Sequence, residues 1–541
     1  MPEPFLLAGR AWIPVARNTG QREFVRLCDI SDPTISYLDT GRPDCDTALA
    51  EFLIGLLAVA LGPEDNEEWQ ERYASPPDSG DLGKAFAPFA DALVVDGEGP
   101  RFFQDLGELD GASFPVEALF IDAPADHFMV DARYQALSRA GAAIALLTLQ
   151  TMAPSGGSGH RTSLRGGGPL TTFVVPRTQP TLWQRLWANV PAGFNATARD
   201  APRIFPWLSG TRTSNPKDNG VDTTPQHSAE AQAFFGMPRR IRLVFEPNAD
   251  RLRCDLTGEI DEVIVRTYVT RPWGTNYPSN TWHHPLSPYY RAKKGDAAML
   301  PVHLQDARVG YRDWLGLVSS SGETEIAADN VNTFRNRRAL LLGEDRKNIQ
   351  LQACGYVLDN MKPLDFGEAR MPLLSAGSEQ RNHALDGIAA GMIEAADIVA
   401  RQLASAVRQA LFGKSAKVDN DSTVLSAVGN RFWAETEAEF YRIVAEAADS
   451  IGAIAADDLS DQTSGVQQRH AEPWRTAMRK VALNVFDDSA PIEDSDPERL
   501  RDVIEARKFL SMTFEGYGPG GKKMFAALGL SEPEKAKKGK S

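Results

Sequence analysis

The chain has few cysteines for its length: Cys28, Cys45, Cys254 and Cys354 are the only four in 541 residues, and no two form a C-x-x-C unit. Such spacing excludes a disulfide scaffold and points to a reducing, cytosolic compartment. Long apolar runs are also missing. The longest, Phe52 to Leu61, is interrupted by Gly55 and stops at Gly62-Pro63, short of the roughly 20 residues that a bilayer span needs. The N-terminus carries Glu3 and lacks a sustained apolar segment, so it does not read as a signal peptide. Catalytic signatures are absent too: there is no Gly-x-Ser-x-Gly elbow, no His-Glu-x-x-His, and no Gly-Lys-Ser/Thr ending of a phosphate loop.

One further absence is local. The net charge is −14, which taken alone would repel nucleic acid, yet residues 132–199 contain neither Asp nor Glu while holding Arg133, Arg139, Arg161, Arg165, Arg177, Arg185 and Arg199. At the chain's average acid frequency this stretch would hold about nine acids. A second acid-free window, Val263 to Gly295, carries Arg266, Arg271, Arg291, Lys293 and Lys294. The rest of the chain therefore bears the whole acidic surplus, which predicts weak non-specific DNA binding by the isolated chain. A buried core segment would also lack acids. Seven arginines kept without a carboxylate favour anion binding.

What is present reads as an α+β protein. Strand-like runs at 173–175, 241–245 and 263–269 alternate irregularly with helical segments at 47–61 and 134–151, which excludes a doubly wound sheet. After Pro372 and Gly377 the pattern changes. Leu385, Ile388, Met392, Ala396, Val399, Leu403, Val407 and Leu411 recur at helical steps and end at Gly413. Three more amphipathic helices follow, the last with Asp496 as N-cap and Pro497 at the first helical position. The expected organisation is a mixed α/β domain over 1–375, a four-helix bundle over 376–516, and a basic, disordered tail over 517–541.

The strongest local motif is Ser155-Gly156-Gly157-Ser158-Gly159-His160-Arg161-Thr162-Ser163-Leu164-Arg165-Gly166-Gly167-Gly168-Pro169, inside the first basic window. Its glycines let backbone N–H groups approach a phosphate or base edge, and its arginines supply charge-assisted contacts. The aromatics Tyr268, Trp273, Tyr277, Trp282, Tyr289 and Tyr290 could stack on bases or serve the core. His283-His284, with His303 downstream, lacks a carboxylate or Cys at ligand spacing and is assigned to packing, so neither a metal nor a cofactor is expected.

Together these motifs resemble the large subunit of the type I-E CRISPR surveillance complex, Cascade, a family called CasA or Cse. The resemblance rests on Ala11-Trp12-Ile13-Pro14-Val15, Pro100-Arg101-Phe102-Phe103-Gln104, the glycine loop, Gly236-Met237-Pro238-Arg239-Arg240, Trp282-His283-His284-Pro285, and Gly355-Tyr356-Val357-Leu358-Asp359-Asn360-Met361-Lys362. It implies a non-enzymatic, cytoplasmic prokaryotic subunit that recognises a short protospacer-adjacent motif in double-stranded DNA while guide-RNA pairing reads the target. It further implies partnership with the CRISPR RNA and other Cascade subunits, R-loop formation, recruitment of a separate helicase-nuclease, and no membrane association.

By the same resemblance, DNA contacts fall on Gly156, Gly157 and Gly159 with His160 and Arg161. The base-pair wedge falls on Asp359, Asn360 and Met361 with Lys362 beside it. The basic minor-groove finger matches Arg271, with Arg266 as its competitor, and a loop contacting the guide-RNA end and a neighbouring subunit falls on His127, Phe128, Met129 and Val130. The Cys-rich zinc site of some members has only Cys254 here. Two other classes stay open: a nucleotide-dependent hydrolase using the glycine loop, and a purely structural RNA–protein scaffold.

Overall fold

The structure is a computed structural model that describes residues 3–107, 109–123, 133–157, 159–176, 179–305, 309–320, 324–414, 423–492 and 497–532. The chain divides into two compact units. The first comprises Met1–Arg308, Gly322–Phe334 and Leu341–Arg370; the second comprises Val309–Ser321, Arg335–Leu340 and Met371–Ser541.

In the first unit, β1 (Ile13–Arg17) lies between β2 (Arg22–Val25) and β3 (Ile35–Leu38). Helix α1 (Pro43–Leu61) follows, with Pro43 in its first turn and Gly62 closing it through a bond to the Ala58 carbonyl. It is apolar on nearly every face and buried accordingly, and Gly55 lets Phe234 approach so closely that an added Cβ would lie 2.5 Å from it. A second sheet orders β4 (Ala112–Pro115), β8 (Val263–Arg271) and β5 (Leu137–Ser138), with β7 (Arg240–Pro247) paired to β8 from Arg240↔Arg271 to Pro247↔Val263. A third joins β6 (Thr171–Pro176), β12 (Ile349–Asp359) and β13 (Lys362–Pro372). The small strands β9 (Tyr289–Tyr290), β10 (Leu300–Pro301) and β11 (Glu325–Ile326) form a fourth. The α+β class is thus observed.

The helix expected over 134–151 starts later, at Arg139, and runs to Met152. Leu137 and Ser138 are drawn instead into pairing with Val265 and Ile264, and the Ser138 hydroxyl caps the helix by accepting from the Gly141 amide.

Much of the acid-free window around this helix is core, and two of its seven arginines, Arg139 and Arg165, serve that core and not an anion. Arg139 donates to both Asp261 oxygens at 2.8 and 2.7 Å and to Asp96 at 3.2 Å. Arg165 donates to Glu51 at 2.5 Å and to Ser287 at 2.8 Å. Both arginines are buried. Their carboxylates come from outside the window, so a stretch without acids is not a stretch without counter-ions.

The second unit is built on four long helices, Glu379–Phe412, Thr423–Gly452, Leu459–Ser489 and Pro497–Phe514. The first ends at Gly413, as its periodicity predicts; Asp496 lies outside the described residues. Two differences from expectation have clear causes. Segments upstream of residue 371 belong to this unit because their side chains complete its core: Tyr311 stacks on Phe440 at 4.4 Å and shares a 2.8 Å hydrogen bond with Thr436, while Arg335 pairs with Asp386 at 2.5 Å. The expected tail contains a fifth helix, Gly518–Leu528, with Met524 and Leu528 buried. It packs on the first bundle helix at Gly391, where an added Cβ would lie 2.3 Å from the Ala527 carbonyl. Residues 533–541 of that tail lie outside the described residues.

Among the described residues, no single helix is long and apolar enough to cross a membrane.

Candidate nucleic-acid interface

Within the first unit, the glycine loop leaves the C-terminus of the helix Arg139–Met152 and returns to β6. It is held by its own backbone: the His160 amide donates to Gly157 at 2.8 Å, Ser163 to Ala153 at 2.9 Å, and Gly168 to Met152 at 3.1 Å. Gly157 and Gly159 have φ of +74° and +83°, the left-handed region that costs other L-residues steric strain.

The three glycines expected to admit DNA separate into two kinds. An added Cβ at Gly156 would meet Arg239 at 2.6 Å, and one at Gly159 would meet the Trp273 indole at 2.7 Å. At those two positions the protein itself fills the direction in which a side chain would project, although Gly156 is exposed. At Gly157 nothing lies within 4 Å of an added Cβ, so this position alone of the three is open in the side-chain direction.

The remaining basic residues of the loop are partly committed. Arg161 donates to the Ser214 hydroxyl at 2.9 Å and places its guanidinium 5.2 Å from the Trp273 ring centroid. Burial, followed by the charge of Arg239, lowers the pKa of His160, so its ring is neutral at pH 7.

Arg271 ends β8 and is exposed. Two residues later, Trp273 adopts a positive φ of +67° and its amide donates to the Gly159 carbonyl at 2.8 Å. The chain beyond Arg271 is therefore fastened to the glycine loop. Arg266, the competing residue, is also exposed but sits where the β7–β8 register shifts, unpaired between Val244↔Thr267 and Phe245↔Val265.

The third component is the β12–β13 hairpin. Its two turn residues, Asn360 and Met361, have φ of +48° and +65°, the signature of a type I′ turn, for which Asn is favoured first and Gly second. Met in the second place costs roughly 1–2 kcal/mol of backbone strain, and such strain persists where surroundings fix it. Here the fixing neighbour is the glycine loop: an added Cβ at Gly167 would lie 3.1 Å from the Met361 Sδ and 3.3 Å from Leu358, and one at Gly168 would lie 2.8 Å from Tyr356. Asp359, Asn360, Met361 and Lys362 are all exposed, and the Asn360 amide donates to Asp359 at 2.9 Å.

The loop thus touches Trp273 with its first glycines and the hairpin with its last. Three segments far apart in the chain, the loop, Trp273 and the hairpin, are joined through the loop. In the sequence Trp273 is legible only as a stacking candidate, Gly167 only as one glycine of the loop, and Arg239 only as part of the Gly236-Met237-Pro238-Arg239-Arg240 motif. The run Gly166-Gly167-Gly168 was the available signal, since close backbone approach on a second side explains why the glycines continue.

Most of the aromatic candidates are structural. The Tyr268 hydroxyl donates to Ala118 at 3.3 Å, the Tyr277 hydroxyl accepts from Met237 at 3.1 Å, the Trp282 indole donates to Thr223 at 2.9 Å, and the Tyr289 hydroxyl accepts from His284 at 2.7 Å. All four rings are buried; Tyr290 is exposed. His283 pairs with Asp329 at 2.8 Å, and buried His284 packs on Phe234. Among the described residues no three His, Cys, Asp or Glu side chains are grouped to hold a metal.

His127, Phe128, Met129 and Val130 lie outside the described residues. The segments flanking them are joined by Arg42, which donates to Asp122 at 2.8 Å and to the Tyr134 hydroxyl at 3.1 Å, while Phe120 and Tyr134 stack at 3.9 Å.

Comparison with known proteins agrees with this architecture. Cse1 from Acidimicrobium ferrooxidans matches with a TM-score of 0.69 at 18% identity, covering 98% of this chain and 100% of that one. CasA from Thermus thermophilus matches with a TM-score of 0.67 at 18% identity, over 94% of this chain and 99% of that one. A chain of a structure described as a CRISPR RNA-guided surveillance complex matches with a TM-score of 0.63 at 18% identity, over 94% and 100%. At this identity these likenesses establish the fold. The family model for CRISPR-associated protein Cse1 matches residues 7–485, and with nearly the whole sequence inside that match, the chain belongs to the Cse1 family.

Proposed function

We propose that this chain is the large subunit of an RNA-guided antiviral surveillance complex, and that it recognises a short flanking motif in double-stranded DNA and starts duplex opening there. The observation that carries this reading is that one glycine loop, open at Gly157, contacts both the segment that follows the exposed cation Arg271 and the strained, exposed hairpin tip at Asn360-Met361. Its family and its likeness to a chain of a CRISPR RNA-guided surveillance complex support the CRISPR RNA and other complex subunits as partners.

In this reading Gly157 admits the edge of the minor groove, whose donor and acceptor pattern is degenerate, so several related motifs are tolerated. Arg271 supplies a cation to the groove or its phosphates. Asn360 and Met361 enter the first base step; unstacking costs a few kcal/mol, offset by guide-RNA pairing and backbone contacts. The family reading further assigns the 127–130 loop to the guide-RNA end and gives the assembled complex a separate helicase-nuclease. The chain itself acts by binding and catalyses no step.

The test is a complex reconstituted with Gly157→Asp and Asn360→Ala. Asp tolerates the left-handed backbone better than most residues, so Gly157→Asp places a negative charge at the open face while preserving the loop. Target-duplex affinity at matched salt is expected to fall at least tenfold. Wild-type affinity in that complex would remove the proposal.

A further inference from the structure

Arg239 is a half-buried cation without a counter-ion. No carboxylate among the described residues lies within 4 Å of its guanidinium, whereas adjacent Arg240 pairs with Asp105 at 2.6 Å and Arg139 and Arg165 are paired as described above. Its backbone is fixed on both sides by buried Gln150, which accepts from the Arg239 amide at 2.9 Å and donates to its carbonyl at 3.0 Å. One guanidinium nitrogen donates to the Pro154 carbonyl at the start of the glycine loop, and the buried Nε has no partner. Burial lowers its pKa to about 10, which leaves it charged at neutral pH.

An uncompensated cation in such a place costs stability, and proteins normally neutralise or pair it. Here the side chain lies directly against Gly156, where an added Cβ would come 2.6 Å from Nη1. Only a layer of glycine backbone separates it from the open face at Gly157, and neutral His160 adds no charge of its own. The positive field of this cation attracts a phosphate on the far side of the backbone, the more strongly because the backbone is partly dehydrated.

We infer that Arg239 is a DNA-binding residue whose missing counter-charge is a phosphodiester group of the target duplex lying on the glycine loop. This rests on the reading of that loop as a DNA contact.

The experiment uses the reconstituted complex with Arg239→Met, Arg239→Lys or Gly157→Asp, and a guide-matched duplex whose flanking motif has been selected from a randomised library. Dissociation constants are measured across a potassium chloride series. Arg239→Met is expected to weaken DNA binding about tenfold and to reduce the slope of log affinity against log salt by about one, with Arg239→Lys keeping most of both. The thermal midpoint of the Arg239→Met chain is expected to hold or rise, because an unpaired charge has left the interior. An unchanged salt slope, a lowered midpoint, or a defect in guide-RNA assembly instead of DNA binding would each overturn the inference. If Gly157→Asp weakens binding while Arg239→Met does not, only the role of Arg239 fails; if neither does, the DNA reading of the loop fails with it.

Discussion

The Trp273 amide donates to the Gly159 carbonyl at 2.8 Å, and the indole fills the space that a side chain at Gly159 would need. Through this contact the strand ending at Arg271 and the glycine loop become one structural element. The two glycines on either side of Ser158 consequently differ in what they tolerate.

Gly159→Ala should destabilise the chain by roughly 2–4 kcal/mol, combining left-handed strain with a clash against the indole. Gly157→Ala meets open space and should cost about 1 kcal/mol from its φ alone. Denaturant unfolding of the two variants, followed by far-UV circular dichroism, separates them. Equal losses would contradict the assigned packing.

Met361→Gly relieves the left-handed strain at the second turn position and gives the Asn-Gly pair that type I′ turns favour. Stability should hold or rise by up to about 1 kcal/mol. Duplex opening, followed by 2-aminopurine fluorescence in a reconstituted complex, should slow because the apolar tip has gone. A clear drop in stability would mean that contact with the glycine loop outweighs the strain.

Arg165 and Glu51 form a buried pair joining the loop to α1. Arg165→Ala leaves the carboxylate uncompensated and should cost about 3–5 kcal/mol, whereas Arg165→Met combined with Glu51→Gln should recover part of that loss. A double-mutant cycle by urea denaturation measures the coupling, and purely additive effects would deny it.

Asp46 carries the clearest pH dependence. Burial, reinforced by the charges of Asp39 and Asp44 against bonds from Thr40, raises its pKa to about 7. The folded state therefore holds this proton more tightly than the unfolded one. Its contribution favours folding at low pH and is lost progressively as pH rises from the ordinary carboxylate range to about 7. Thermal midpoints of wild type and Asp46→Asn should accordingly diverge over that interval, with the variant gaining as pH rises. Parallel profiles would show that Asp46 ionises normally.

Local periodicity made several elements legible. The first bundle helix ends at Gly413 as its apolar spacing requires, and β8 covers the apolar run that begins at Val263. The helix at Gly518–Leu528 was hidden because its glycines resemble a polar tail until Gly391 and Ala527 are seen to need close contact. The glycine loop, Arg271 and the Asp359–Lys362 turn were each visible as motifs. That they touch was not, since Trp273 and Met361 carry no signal of the partner they will meet.

The sequence by itself determined where apolar faces recur, where the backbone must turn left-handed, and which segments lack acids, because each of these properties is local. Only the tertiary structure decided which cations are free. Arg165 meets a carboxylate 114 positions away and Arg139 one 122 positions away, whereas Arg239 meets none among the described residues. Charge neutralisation is a matter of distance in space, and folding sets that distance without regard to separation along the chain.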